Sequence, residues 1–462
     1  MRALTSSPTA FRAALLLCAA GVATYVVAAL LVAPGADIPR HVSWFLFAFL
    51  CYLAAVGLVL HRRSSDAPDR SRSGDLLVIL GVAVALRVAL LATTPSLSDD
   101  VFRYVWDGKV WNAGIDPYRY PPSAPELASL RDSLWRGINA KDMVTPYPLL
   151  AEGLFAAAYR LAPDSLTAMQ GMAVAFDLGV VALLIPMLAL AGMDSRRVLI
   201  YAWNPLVLVQ AAHGAHYDAA MILPLLGAVY LVARGWRWAS GALLAVSVLL
   251  KLVPAAAAPL FLPSWKLGGL LAMVAVVAVG TAPAAGAGTM LGGVLSEAAD
   301  ARFNDSLSLL LVRLLGRVTA DPELAARALG YAMLAACSFL LTVRLWRRKG
   351  DWRALLAANY RLLGLFLLLN AVVEPWYLTW LVPFLCFALE AGPLGLPRLT
   401  PAFGWLLASG FVILTDLSYV PGSSGSLWLL IRGLEYGPLY ALLALSGVGW
   451  VRASRNRPRP PD

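Results

Sequence analysis

Two adjacent aspartates, Asp99 and Asp100, open the stretch SDDVFRYVWDG, just after an apolar run long enough to cross a bilayer. A carboxylate at a membrane face can strip the proton from an incoming hydroxyl. Arg103, one turn further on, can keep that carboxylate ionised or hold an anionic substrate group. Neighbouring residues of a helix point about 100° apart, so the two acids are expected to divide the work, one as base and one in support. They also have a purely architectural use: acids in a first turn favour the positive end of the helix dipole, and Asp99 with Arg103 has the spacing of an i, i+4 ion pair. Tyr104, Trp106, Trp111, Tyr118, Tyr120 and Tyr147 share the region, and such rings suit a bilayer interface, a sugar face or an isoprenoid stem.

Three further groups carry chemistry-bearing residues. HGAHYD sets His213, His216 and Asp218 in a very short loop, a mixture able to hydrogen-bond a phosphate or a sugar hydroxyl. As a metal site it lacks a visible third ligand, so no cofactor is required by these residues, and a divalent cation is left open. Lys251 interrupts an apolar run, where a charge is costly; it is expected to meet an anion or a carboxylate, or else to snorkel to a headgroup. VVEPWYLTWLVP puts Glu374 in a tight turn beside Trp376 and Tyr377, where Pro375 alone explains the turn and the rings also suit the interface. In RFNDS, which begins at Arg302, Asn304 or Asp305 is expected to cap a short amphipathic helix. A Walker loop, a dinucleotide GxGxxG, HExxH and a serine nucleophile elbow are all missing, so the chemistry works without a soluble nucleotide site.

The elements that must position these residues are membrane helices. With 60% hydrophobic and 14% charged residues in 462, the chain has more apolar side chain than one water-soluble core can bury. The net charge of +10 sits in short loops instead of a basic face, which excludes a nucleic-acid partner and reads as a topology signal. The four cysteines lie inside apolar runs and read as small packing residues. Apolar runs near 12–33, 42–60, 75–94, 166–190, 198–212, 218–233, 267–284, 322–345, 354–372, 376–390, 401–416 and 427–451 predict about twelve crossings. The run 239–263, broken by Lys251 and Pro254, predicts two half-length helices that enter and leave on the same side. Arginine and lysine then fall consistently in the loops of one face, with both termini cytoplasmic and little beyond Arg40 and Arg302 outside. That places residues 95–163 outside as a structured segment, with Ser98 capping a helix that ends at Gly114 and LLAEGLFAAAYRLA lying in the interface. The expected organisation is 1–74, two additional helices and a basic loop; 75–390, the catalytic core; 391–451, the last helices; and 452–462, a basic tail able to touch anionic lipid headgroups.

Taken together, SDDVFRYVWDG, NAGIDPYRYPP, TPYP, NPLVLVQAAHGAHYDA, GALLAVSVLLKLVPAAAAPLFL and EPWYLTWLVPFL, spread from Leu76 to Pro383, resemble the bacterial GT-C superfamily glycosyltransferases of the polyprenol-phosphate-mannose type. The resemblance implies an inverting transferase in the bacterial cytoplasmic membrane, working at its outer face with a polyprenyl-phosphate sugar donor and a lipid- or glycan-linked acceptor. It carries the family's first-loop acid over to Asp99 or Asp100 as the base. Arg103, His216 and Lys251 are the expected cations for the departing phosphate, with Tyr104, His213, Asp218, Glu374, Trp376 and Tyr377 as further substrate contacts. A transporter or flippase of a lipid-linked sugar is the alternative, but it would need repeat-related broken helices and ionisable groups at mid-membrane.

Overall fold

The computed structural model describes residues 7–62, 69–282, 303–393, 396–422 and 425–455. Arg302 and the end of the basic tail lie outside the described residues. Among them the chain is all-helical, with isolated bridges at Phe303–Val372 and Ala391–Pro397 and no strands.

Helices α1 (Pro8–Leu31) and α2 (Ile38–His61) form a hairpin, each begun by a side-chain cap: Ser7 accepts from the Ala10 N–H and Asp37 from the Arg40 N–H. Helix α3 (Asp69–Leu90) leads to the segment 95–163, which holds α4 (Asp100–Asn112) and α5 (Leu149–Leu161). Ser98 is not the cap expected of it: Asp99 holds the N-cap position with no side-chain cap, and the Ser98 hydroxyl only accepts from the Asp100 N–H at 3.3 Å, while Gly114, at φ 77°, supplies the left-handed residue just after the helix. The segment has a small core of its own, with Trp106, Val110, Leu127 and Ile138 buried together. Helix α5 packs one face on α4: its Ala151, Glu152 and Phe155 are buried, with Phe155 stacked on Tyr104 at 4.6 Å.

Beyond α6 (Leu166–Leu190), α7 (Pro205–His213) and α8 (Asp218–Ala233) meet at a bend of 119°. The last turn of α7 is a widened π turn over Val209–His213, a feature that re-aims side chains at functional sites. Next come α9 (Arg237–Leu250) and α10 (Ala258–Thr281), with Lys251 in extended conformation between them. The half-helix hairpin is present. Helix α9 climbs about 21 Å at 1.5 Å per residue, and the chain returns through Ala258 until the Trp265 indole donates to Ser240 Oγ at 2.8 Å, level with the start of α9. There Lys266, at φ 54°, breaks the helix, and the second half of α10 rises again so close to α9 that a side chain on Gly241 would lie 1.9 Å from the Gly269 carbonyl oxygen. The bundle is completed by α11 (Leu307–Leu315), α12 (Pro322–Trp346), α13 (Trp352–Leu369), α14 (Val382–Ala388), α15 (Pro401–Phe411) and α16 (Gly425–Arg455).

Eight helices among the described residues are long and apolar enough to cross a membrane, or nine with the α7–α8 pair as one broken span. This is fewer than the dozen apolar runs because hydropathy registers composition and not bends. The runs 198–212 and 218–233 make a single bent pair, 376–390 is a 3-10 turn followed by the seven residues of α14, and 427–451, in α16, is not among the nine. Helix α11 lacks the expected cap: Asp305 Oδ1 instead accepts from Arg432 at 2.8 Å, and Asn304 donates to the buried Glu435. All four cysteines are free.

Candidate active site

A cavity of about 1030 Å³ opens where α3, α4, the α9–α10 apex and the turn after α13 meet. Asp99, Asp100, Arg103, Tyr104, Lys251, Glu374, Trp376 and Tyr377 all line it. The chain reaches this point because α3 ends at Leu90 and the following residues fold back over His213. That imidazole is buried, within hydrogen-bond distance of Thr93 Oγ1 (2.7 Å) and Ser96 Oγ (3.2 Å). His213 therefore ties the approach to α4 onto α7.

The two aspartates do not diverge. Asp99 lies just before α4, outside helical geometry, and Asn139 from the far end of the segment donates to Asp99 Oδ1 at 2.6 Å and to Asp100 Oδ1 at 3.2 Å. Asp99 is exposed and Asp100 half-buried. The other oxygen of Asp100 faces His216 Nδ1 at 3.9 Å. His216 is not itself on the cavity wall; it is buried behind Trp376, ring on ring at 3.8 Å. It stands at the break between α7 and α8, one layer behind the wall that carries Asp100.

Arg103 takes a different partner from the one its spacing allowed. It pairs with Asp107, four residues after it, donating from Nε to both carboxylate oxygens at 2.9 Å, and not with Asp99, four residues before. Beneath this pair lies Glu152, also buried, which accepts from Thr145 Oγ1 at 2.6 Å. Burial and then the Asp107 charge push the Glu152 carboxyl well above its ordinary value, and burial raises Asp107 as well. Two carboxyls and one guanidinium are thereby locked into the joint between α4 and α5.

Lys251 sits at the apex of the hairpin, as its place in the sequence led us to expect. Its ammonium donates to Asp218 Oδ1 at 2.6 Å, and the Trp380 indole donates to the same oxygen at 2.6 Å. The ammonium also lies 4.6 Å above the Tyr377 ring and 4.9 Å above Trp380. Asp218 thus anchors the lysine instead of facing the cavity. Tyr104 is buried, its hydroxyl 3.5 Å from His216 Nδ1. Of the other aromatics, Tyr147 lines the cavity and Tyr118 donates to the Tyr147 carbonyl, whereas Trp106 belongs to the segment's own core. Asn139 escaped sequence reasoning because it lies in a loop with no motif around it; Asp107, inside SDDVFRYVWDG, and Glu152, inside LLAEGLFAAAYRLA, escaped it because only the packing of α4 on α5 brings them together. No group of three or more histidine, cysteine or acidic side chains among the described residues is arranged to hold a metal ion.

A helical membrane bundle with this cavity, and with the family it belongs to, is a membrane glycosyltransferase. The chain belongs to the alpha-(1->6)-mannopyranosyltransferase family, whose N-terminal domain model matches residues 7–266, a stretch that takes in the α1–α2 hairpin. Among solved structures it is similar to ArnT from Cupriavidus metallidurans bound to undecaprenyl phosphate, at 15% identity over 82% of this chain and 72% of that one, with a TM-score of 0.48. No curated protein matches the sequence.

Proposed function

We propose that this chain transfers mannose from a polyprenyl-phosphate mannose to a hydroxyl of a lipid- or glycan-linked acceptor. The reaction is a single displacement at the outer face of the bacterial cytoplasmic membrane, with both termini cytoplasmic. The observation that carries this reading is one cavity holding a paired carboxylate, Asp99 and Asp100 joined by Asn139, together with an apex lysine. Of the two acids, Asp100 is the base, because it is half-buried and backed by His216, while Asp99 is exposed and supports it through Asn139.

As the acceptor oxygen attacks the anomeric carbon, its proton passes to Asp100. The bond from that carbon to the phosphate oxygen breaks, and the polyprenyl phosphate leaves with the electron pair. A phosphate is already a good leaving group, so the protein's task is alignment, deprotonation and steadying of the departing charge. Lys251 supplies that steadying; Arg103, held by Asp107, contributes its field from the wall. The rings of Trp376 and Tyr377 give the sugar or the first isoprene unit an apolar face. One displacement inverts the anomeric carbon, so an α-(1→6) product, which the family's description names, requires a β-linked donor.

The test is purified protein in nanodiscs given polyprenyl-phosphate mannose and an α-mannoside acceptor, with and without a chelator. An α-linked product by NMR is expected, and Lys251→Met should raise the apparent donor KM about tenfold through loss of a charge-assisted contact. A β-linked product, or an unaltered donor KM in the lysine variant, overturns the corresponding part of the mechanism.

A further inference from the structure

One arm of the same cavity's wall comes from elements distant in sequence from α4 and the α9–α10 apex: α2, the 3-10 segment Val412–Tyr419 that follows α15, and Phe303. Asp416 lines this arm, although the residue is only 8% exposed. Its Oδ2 is sealed from solvent and faces the buried His41 Nε2 at 3.5 Å. With one oxygen turned to the imidazole, the carboxylate keeps its Oδ1 for hydroxyl donors that reach the cavity wall.

Two other features give the ligand that brings them a chemistry. Asp99, Asp100, Glu374 and Asp416 all act electrostatically on the Tyr419 hydroxyl, so carboxylates gather around this arm; Lys251 belongs to the α9–α10 apex, and Arg327 also lines the cavity. An acidic arm repels the donor's phosphate and accepts a neutral polyol. Tyr419, 62% exposed and also on the cavity wall, stacks with Phe303 at 6.3 Å and 22°, a flat apolar surface of the kind on which a sugar ring lies.

We propose that Asp416, supported by His41 and flanked by Tyr419, is the acceptor subsite: it takes the hydroxyls of an uncharged sugar unit and so orients the attacking hydroxyl towards Asp100. The proposal rests on the transferase reading above and adds to it where the acceptor lies and that its recognised portion is uncharged. Asp416 binds; His41 is a positioning residue that acts through it.

Two measurements separate the ideas. In transfer assays with a short α-(1→6)-linked manno-oligosaccharide, Asp416→Asn, a near-isosteric change, should raise the acceptor KM about tenfold to a hundredfold, the scale for removing charge-assisted bonds to substrate hydroxyls. His41→Gln should raise it less, and in both variants the donor KM should stay within about twofold, the subsite being specific to the acceptor. An unaltered acceptor KM in Asp416→Asn, or a rise in the donor KM alone, overturns the assignment. Saturation-transfer NMR of the same oligosaccharide with protein free of donor tests binding without turnover. Signal in the wild type that Asp416→Asn and Tyr419→Ala both abolish, while gel filtration shows them folded, supports the subsite even if no donor is turned over. Equal signal in all three overturns it.

Discussion

Both ends of α3 gather charged side chains, and they treat them in opposite ways. Near its start, Asp75 is wholly buried and accepts from Arg12 at 2.7 Å and Arg196 at 3.0 Å, with Arg62 a further 3.6 Å away; Arg196 is held in turn by Asp194. One carboxylate thereby ties α1, the end of α2, α3 and the turn after α6 into a closed knot. The end of α3, about 23 Å further along at 1.5 Å per residue, delivers the chain to Asp99 and Asp100, which share the Asn139 amide, with His216 Nδ1 3.9 Å from Asp100. The residue types are the same; what differs is burial, complete at Asp75 and incomplete at Asp99 and Asp100. A carboxylate sealed among arginines is architecture. One that lines a cavity can meet an incoming hydroxyl.

That contrast is broken most directly at the cavity end. Asp100→Asn keeps the shape and the contact with Asn139 but removes the base, and should lower kcat by about a thousandfold, within the range for general-base loss. Asp99→Asn should cost only about tenfold, the scale of a lost supporting hydrogen bond. Single-turnover transfer measurements decide between them, and a larger loss at Asp99 would reverse the assignment of base and support. At the other end, Asp75→Ala leaves arginines buried without their counter-ion and should destabilise the fold by about 3–5 kcal/mol. The melting transition in detergent should fall sharply, while any correctly folded fraction keeps the wild-type acceptor and donor KM. A selective change in either KM with an unaltered melt would show that the knot reaches the chemistry.

How much of this was legible beforehand follows from the same contrast. Asp99, Asp100 and Lys251 stood out because a charge at or inside an apolar run is expensive, and each lines the cavity. The α9–α10 hairpin was legible from the side on which Arg234, Arg237 and Lys266 had to fall, and the contact between Trp265 and Ser240 closes it as expected. The partner of Arg103 was not legible: Asp99 and Asp107 are both four residues away, and only the burial of the inner face of α4 against α5 selects Asp107. Asn139, Glu152 and the His41–Asp416 wall act through contacts between segments far apart in sequence, which no local spacing encodes. The dozen apolar runs outnumber the candidate spans among the described residues in part for a related reason, since the 119° bend between α7 and α8 depends on backbone geometry around Ala215, at φ 60°, and leaves no mark on hydropathy.

The smallest expected effect sharpens the comparison within the α4–α5 joint, where Arg103 faces two buried carboxyls. One positive charge cannot balance two negative ones, and Glu152 is the acid whose proton burial and the Asp107 charge retain. Its folded pKa lies above the unfolded value near 4.5, so the folded state binds the extra proton. The resulting stability is complete below about pH 4.5 and is lost as pH rises through the folded pKa. Glu152→Gln fixes the neutral form and keeps an acceptor for Thr145, so the fall in melting temperature on raising the pH above 4.5 should become shallower, leaving the contribution of Asp107. At neutral pH the variant should equal or exceed the wild type, by on the order of 1 kcal/mol. Thermal melts across that range check the sign: a variant that is less stable at every pH, with the slope unchanged, would mean that Glu152 is ionised in the fold and that Arg103 serves both acids at once.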